Sequence, residues 1–185
     1  WILTKKNHLL SYDESYNIKE YDDVKLLLLK NDAPQIFISD PFGNLWLGYS
    51  NNLYRVSFSP DKKIKEVESI HQNAIFDSCG ISKVRSIYWD NKTSSLLVGT
   101  DVQGLYKLSI DSHKPIKDIN IEHYVYDRND KYSLSSNFVS CITRDNNGIL
   151  WIGTEQGGLC KVIEDERKRM KFISFSEDNG LSNNV

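Results

Sequence analysis

The chain repeats itself, and that constrains its fold more than any other feature. Trp151-Ile152-Gly153-Thr154 has counterparts in Trp46-Leu47-Gly48-Tyr49, in Leu97-Val98-Gly99-Thr100 and, more worn, in Trp1-Ile2-Leu3-Thr4. Successive copies stand about 50 residues apart, a period typical of repeat architectures. The flanks repeat as well. Asp40-Pro41-Phe42-Gly43-Asn44-Leu45 and Asp145-Asn146-Asn147-Gly148-Ile149-Leu150 precede two copies, with Asp90-Asn91-Lys92-Thr93-Ser94-Ser95-Leu96 a degraded third. Leu53-Tyr54-Arg55-Val56, Gly104-Leu105-Tyr106-Lys107-Leu108 and Gly158-Leu159-Cys160-Lys161-Val162 follow.

Each unit reads as four antiparallel strands. A first strand (Ile36 to Ile38, Val84 to Tyr88, Val139 to Ile142) runs into Asp-x-x-Gly, where Asp caps a tight turn and Gly accepts a positive φ. The apolar Leu-Trp-Ile-Gly stretch is the second strand. Its Trp is expected to fill the gap to a neighbouring sheet, and its Gly-Thr to end the strand where the chain turns. Gly-Leu-Tyr-Lys-Leu alternates as a half-buried third strand does. Lys65 to Ile70, Ile121 to Tyr126 and Lys171 to Phe175 supply the fourth. In the first unit the fourth strand is either Ile18 to Tyr21 or Val24 to Leu29.

Four short strands per unit is the arithmetic of an all-β fold of β-propeller blades. The expected layout is a partial propeller of about four blades. Blade one is 1–30 without its inner strand, blade two 35–70, blade three 83–127 and blade four 138–176, with 177–185 leading into a next blade. A closed ring needs about four to eight blades. The expectation is therefore an arc of a larger ring, cut from a longer protein and completed by the remaining blades of its parent or by another copy of this chain.

Asp-x-x-Gly-x-Leu-Trp-Ile-Gly-Thr-x-x-Gly-Gly-Leu at Asp145 to Leu159, preceded by Leu134-Ser135-Ser136-Asn137-Phe138-Val139, resembles the two-component regulator propeller repeat. Gly80-Ile81-Ser82-Lys83-Val84 and Asn179-Gly180-Leu181-Ser182-Asn183-Asn184-Val185 look like two further lead-ins. The resemblance is eroded where Leu3 replaces Gly and Leu97 replaces Trp. It implies the periplasmic sensor region of a hybrid two-component system, a sensor histidine kinase and response regulator best known from Bacteroidetes. It further implies seven-bladed propellers, an oligosaccharide signal, and control of polysaccharide-utilisation genes through kinase and DNA-binding parts that lie outside this chain.

The remaining features narrow the chemistry. A net charge of −2 over 185 residues gives no basic surplus for nucleic acid or an anionic membrane. The longest aliphatic run, Leu26 to Leu29, is far short of the ~20 residues of a membrane helix, so no direct membrane contact is expected. Cys79, Cys141 and Cys160 fit neither a disulfide framework nor a zinc site, and the four His lack metal spacing. No metal and no cofactor is expected. A glycosidase would need two opposed carboxylates. Asp101 and Glu155 are candidates, but nothing sets them apart among 25 acidic residues, so the chain is read as a non-enzyme. A ligand is expected on the face built by the loops from second to third strands and from blade to blade. The candidates there are Tyr49, Asn51, Asp101, Gln103, Tyr132, Asn137, Glu155 and Gln156, whose amides, acids and aromatics suit sugar hydroxyls and CH faces. The other reading is a structural or protein-docking segment, with ligand sensing elsewhere in the parent.

Overall fold

The computed structural model describes residues 2–3, 9–12, 15, 17–21, 34–76 and 80–183. Expectations that fall on Trp1, Thr4, Val24 to Leu29, Cys79, Asn184 and Val185 lie outside these. The chain is all-β, a row of propeller blades forming an open arc. Blade one is β1 (Ile2–Leu3), β2 (Leu9–Tyr12) and β3 (Ile18–Tyr21), in that order. Blade two is β4 (Ile36–Ser39), β5 (Leu45–Gly48), β6 (Leu53–Phe58) and β7 (Ile64–Ser69). Blade three is β8 (Val84–Asp90), β9 (Ser95–Thr100), β10 (Leu105–Ser109) and β11 (Asn120–Tyr124). Blade four is β12 (Val139–Arg144), β13 (Leu150–Thr154), β14 (Gly158–Glu164) and β15 (Met170–Phe175). Every pairing is antiparallel between successive strands. The inner strands β4, β8 and β12 lie beside one another. Short 3-10 turns at Ile70–Gln72, Ala74–Phe76, Ile116–Asp118 and Glu177–Asn179 complete the described structure.

The second strands record where each blade sits. Every residue of β5 and β9 is buried, because both faces of these sheets are covered. Leu45 and Leu47 pack with Tyr21 at the joint of blades one and two, while Trp46 faces Val84 and Val98 at the next joint. Leu96 and Val98 face back toward blade two, and Leu97, standing where the other copies have Trp, packs against Val139 and Ile152 of blade four. In β13 the pattern alternates: Leu150 and Ile152 are buried against blade three, whereas Trp151 and Gly153 are half-buried on the opposite face. Burial of a large apolar side chain contributes about 1.5–3 kcal/mol, so the three apolar joints hold the arc together.

The glycine of the second strand has a different role from the expected turn. Gly48, Gly99 and Gly153 sit within strands and do not take a positive φ. A Cβ on Gly48 would lie 2.7 Å from Val84 Cγ1, and one on Gly99 would lie 2.5 Å from Val139 Cγ1. Glycine is there because the first strand of the next blade passes against the strand backbone. The turn is made by the following residues: Thr100 Oγ1 and Thr154 Oγ1 donate to the carbonyls of Gly104 and Gly158, each at 3.0 Å. Gly43 and Gly148, in the Asp-x-x-Gly turns, do take the expected left-handed φ of 81° and 76°.

Candidate functional site

Backbone hydrogen bonds stitch the loops at one end of the blades. Val84 N donates to Tyr49 O at 3.0 Å and Gly104 N to Asn137 O at 2.9 Å, each joining one blade to the next. Asp101 N to Lys83 O (3.1 Å) and Glu155 N to Phe138 O (2.9 Å) extend the inner pairing of blades three and four. The loop face is thus assembled from the segments the sequence pointed to, but its side chains divide into three kinds.

Some candidates are consumed by the fold. Tyr49 is 1% exposed, packed edge-on to Tyr54 at 5.4 Å in the joint of blades one and two. It cannot stack on a ligand, and this corrects the expectation. Asn137 Oδ1 accepts from Tyr126 N at 2.7 Å. Gln103 is a strap: its Oε1 accepts from Ser82 N, its Nε2 donates to Gly80 O at 3.3 Å, and its carbonyl accepts from His123 Nε2. His123 in turn stacks on Tyr106 with centroids 4.1 Å apart and an interplanar angle of 7°. Asn51 is exposed, and its carbonyl accepts from His71 Nε2 at 3.0 Å.

Others present themselves to solvent. Gln156 is exposed at the tip of the blade-four loop with a left-handed φ of 64°, and Glu155 beside it is half-buried. Tyr132 is 40% exposed at the outer rim, with Lys131 Nζ at 4.9 Å and Lys171 Nζ at 5.9 Å from its ring centre. It borders a groove of about 400 Å³ with Tyr124 and Phe172, away from Asp101 and Glu155. In that groove Tyr124 Oη donates to Glu122, and burial together with that carboxylate raises the phenol pKa. Glu122 sits below its ordinary value: burial works against its charge, and the bonds from Lys107 and Tyr124 outweigh it.

The third kind has bonding capacity left. Asp101 Oδ1 and Ser82 Oγ are buried with no hydrogen-bond partner among the described residues. Leaving such a group unmet costs about 1–3 kcal/mol. Ser82 is not among the sequence candidates. Its signal is its place in a lead-in matching Leu134 to Val139, and it is brought beside Asp101 by the Lys83 backbone bond and by its own N–H bond to Gln103 Oε1.

Among the described residues no group of three or more His, Cys, Asp or Glu is placed to hold a metal. Cys141 and Cys160 are free thiols on opposite faces of blade four. Asp127 to Asp130 forms two successive polar turns, with Asn129 N and Tyr132 N donating to Asp127 Oδ1 and Asp130 Oδ1. The charge run at Glu164 to Arg169 is a hairpin turn closed on Asp165, whose Oδ1 accepts from Arg167 N and Arg169 N at 2.9 Å. Among the described residues no helix is long and apolar enough to cross a membrane.

Comparison with known proteins bears on the fold. No curated protein sequence matches the chain. Among solved structures it is similar to the extracellular domain of BT4673 from B. thetaiotaomicron, described as a hybrid two component system. Identity there is 21% and the TM-score 0.53, over 85% of this chain and 20% of that one. It is also similar to PorZ, an essential surface component of the type-IX secretion system of Porphyromonas gingivalis, at 16% identity and TM-score 0.63, over 98% of this chain and 28% of that one. Virginiamycin B lyase from Staphylococcus aureus matches at 15% identity and TM-score 0.53, over 94% of this chain and 50% of that one. The chain thus spans about a fifth of the BT4673 domain. At these identities the likeness is one of fold. The model of the two component regulator propeller matches residues 133–156, from the lead-in of blade four through β12 and β13 to Gln156. Residues 133–156 thus match the two component regulator propeller repeat, within a chain built of propeller blades.

Proposed function

We propose that this chain is part of the extracytoplasmic sensor region of a hybrid two-component system, where it contributes loops that bind an oligosaccharide. The observation that carries the reading is the two component regulator propeller repeat at 133–156. Likeness of fold to the extracellular domain of BT4673 agrees with it. The parent would be an inner-membrane histidine kinase, the sensor part periplasmic, and the ring completed by further blades of the parent or a second copy. A ligand that favours one arrangement of the sensor shifts the population toward it, which is all the signalling such a domain needs. Contacts would come from Asp101, Glu155 and Gln156, on the loops that follow β9 and β13.

A second reading has an observation in its favour. Gln103, Asn137 and Tyr49 are absorbed into the fold, so the loop face presents fewer free polar groups than the sequence promised. On that reading the segment is structural or docks another protein. Calorimetric titration of the full receptor with an oligosaccharide panel separates the two, using Asp101→Ala and Gln156→Ala. A loss of affinity of tenfold or more for one sugar supports the sensor loops. Wild-type affinity in both variants places sensing elsewhere.

A further inference from the structure

At the opposite end of the blades from these loops, a cavity of about 360 Å³ lies between blades three and four. Its size is that of a small-molecule site. Its walls are the turn after β8, the turn after β12 and the turn between β14 and β15. The side chains of Leu150 and Met170, 3% and 7% exposed, form an apolar floor. Four cations line it, Lys92, Lys107, Arg144 and Lys168, against two carboxylates, Asp90 and Glu164. Lys161 also borders it but stands in register with Trp151, on the other face of the sheet.

The internal pairings leave positive charge over. Asp90 is already held by Arg144 at 2.7 Å, across the joint, and accepts from Thr93 Oγ1 at 2.8 Å. Lys107 is held by Glu122 at 2.8 Å. Lys92 and Lys168 form no ion pair among the described residues, and both are exposed at the rim. Arg144 lies deeper. One of its terminal nitrogens donates to Gly148 O and the other to Asp90, yet its Nε is buried with no partner among the described residues. The guanidinium therefore stands behind the cavity wall, held by Asp90 and Gly148 O, and adds to the positive charge of that wall.

We infer that this cavity binds a small organic anion, its carboxylate or phosphate oxygens met by Lys92 and Lys168 at the rim and its carbon body resting on Leu150 and Met170. Such a ligand would touch both blades and tie them together, so binding would stabilise the joint by mass action. The site is independent of the loop face, and its failure would leave the sensor reading untouched.

The test uses citrate and inorganic phosphate as probes on the full chain, with sodium chloride at matched ionic strength as the control. Saturable amide NMR shifts at Lys92, Thr93, Gly148 and Ile149, with a raised melting temperature, are expected for at least one probe and not for chloride. Saturation by citrate alone assigns carboxylates, and by phosphate alone phosphate-type groups. The double variant Lys92→Gln, Lys168→Gln, at exposed turn positions, should bind at least fivefold more weakly while melting as the wild type does without ligand. Equal shifts with chloride, or wild-type affinity in the Lys92→Gln, Lys168→Gln variant, would overturn the inference.

Discussion

The indole Nε1 of Trp151 donates to Oδ2 of Asp145 at 2.9 Å, and the same bond joins Trp46 to Asp40 at 2.9 Å. The other carboxylate oxygen closes the turn in each case, accepting from Phe42 N and Asn44 N, or from Asn147 N and Ile149 N, all at 2.9 Å. The repeated Asp and Trp are therefore one hydrogen-bonded unit that fixes both the turn and the inter-blade ring. Where Leu97 replaces Trp, Asp90 Oδ2 is released to Thr93 and to Arg144 of the next blade.

Asp40 is 5% exposed and Trp46 fully buried, while Asp145 and Trp151 are only half-buried. Hydrogen bonds to a charged group contribute about 1.5–3 kcal/mol each when buried, so Asp40→Ala should lose about 3 kcal/mol or more of unfolding free energy. Asp145→Ala should lose less, because its bonds are open to solvent. Urea unfolding of the two variants checks this, and equal losses would show that the buried indole bond adds little.

The Trp151 indole, then the Ile149 backbone N–H, hold the Asp145 carboxyl below its ordinary value. A depressed carboxylate contributes stability that is complete above its unfolded pKa, near 4, and lost as pH falls through the lower folded value. In Trp151→Phe the Asp145 carboxyl should titrate nearer the ordinary value, as followed by carboxyl-carbon NMR. Asp165, held chiefly by the Arg169 N–H, is also depressed and should not move. An unmoved Asp145 would mean that the turn N–H groups alone set its acidity.

The blades are legible in the sequence because the repeat exposes its own period. Asp, Gly and Trp recur at fixed spacing, and each has a local role in capping the turn, taking a left-handed φ or filling a joint. The glycine of β5 and β9 is harder to read because its constraint comes from Val84 and Val139 of the next blade, and a single unit does not display it. The turn at Asp165 is legible from its charge run as a solvated hairpin between outer strands, but its kinship with the Asp145 turn is not. It repeats the geometry of the Asp145 turn, but Lys168 takes the left-handed position with φ 59°, so the glycine signal is missing. The loop candidates are the least legible. Tyr49 occupies the place of Thr100 and Thr154, and only its packing on Tyr54 shows it to be core. Gln103 looks like a free amide until Gly80 and Ser82 are brought to it from about 20 residues away in the chain.

Gly99→Ala gives a direct measure of how closely the blades approach. The added Cβ would stand 2.5 Å from Val139 Cγ1 and 2.2 Å from Ser86 Oγ, so one blade must move or Val139 must yield. Overpacking of this kind costs about 1–3 kcal/mol. Adding Val139→Ala should restore part of the loss, since it removes the obstructing methyls. Gly153→Ala clashes with the Cys141 sulfur of its own blade, at 2.3 Å, and should respond to Cys141→Ala instead. Additive thermal shifts in the Gly99→Ala, Val139→Ala pair would separate the glycine from the blade contact.

Arg55 and Glu68 form a buried ion pair on the outer strands of blade two, with Arg55 Nε to Glu68 Oε2 at 2.7 Å. The pair also holds blade three: Glu68 Oε1 accepts from Ile116 N at 2.8 Å and Arg55 donates to Lys114 O at 2.9 Å. Asn73 reinforces the joint, donating to the carbonyls of Ile116 and Ile119. Removing one partner of such a pair leaves a buried charge uncompensated, so Arg55→Met should cost about 3–5 kcal/mol. Glu68→Gln retains an oxygen for Ile116 N and should cost less. The double variant should be more stable than the sum of the single losses allows, because the stranded carboxylate is gone. A double-mutant cycle in urea measures that coupling, and strict additivity would mean the two side chains act on blade three separately.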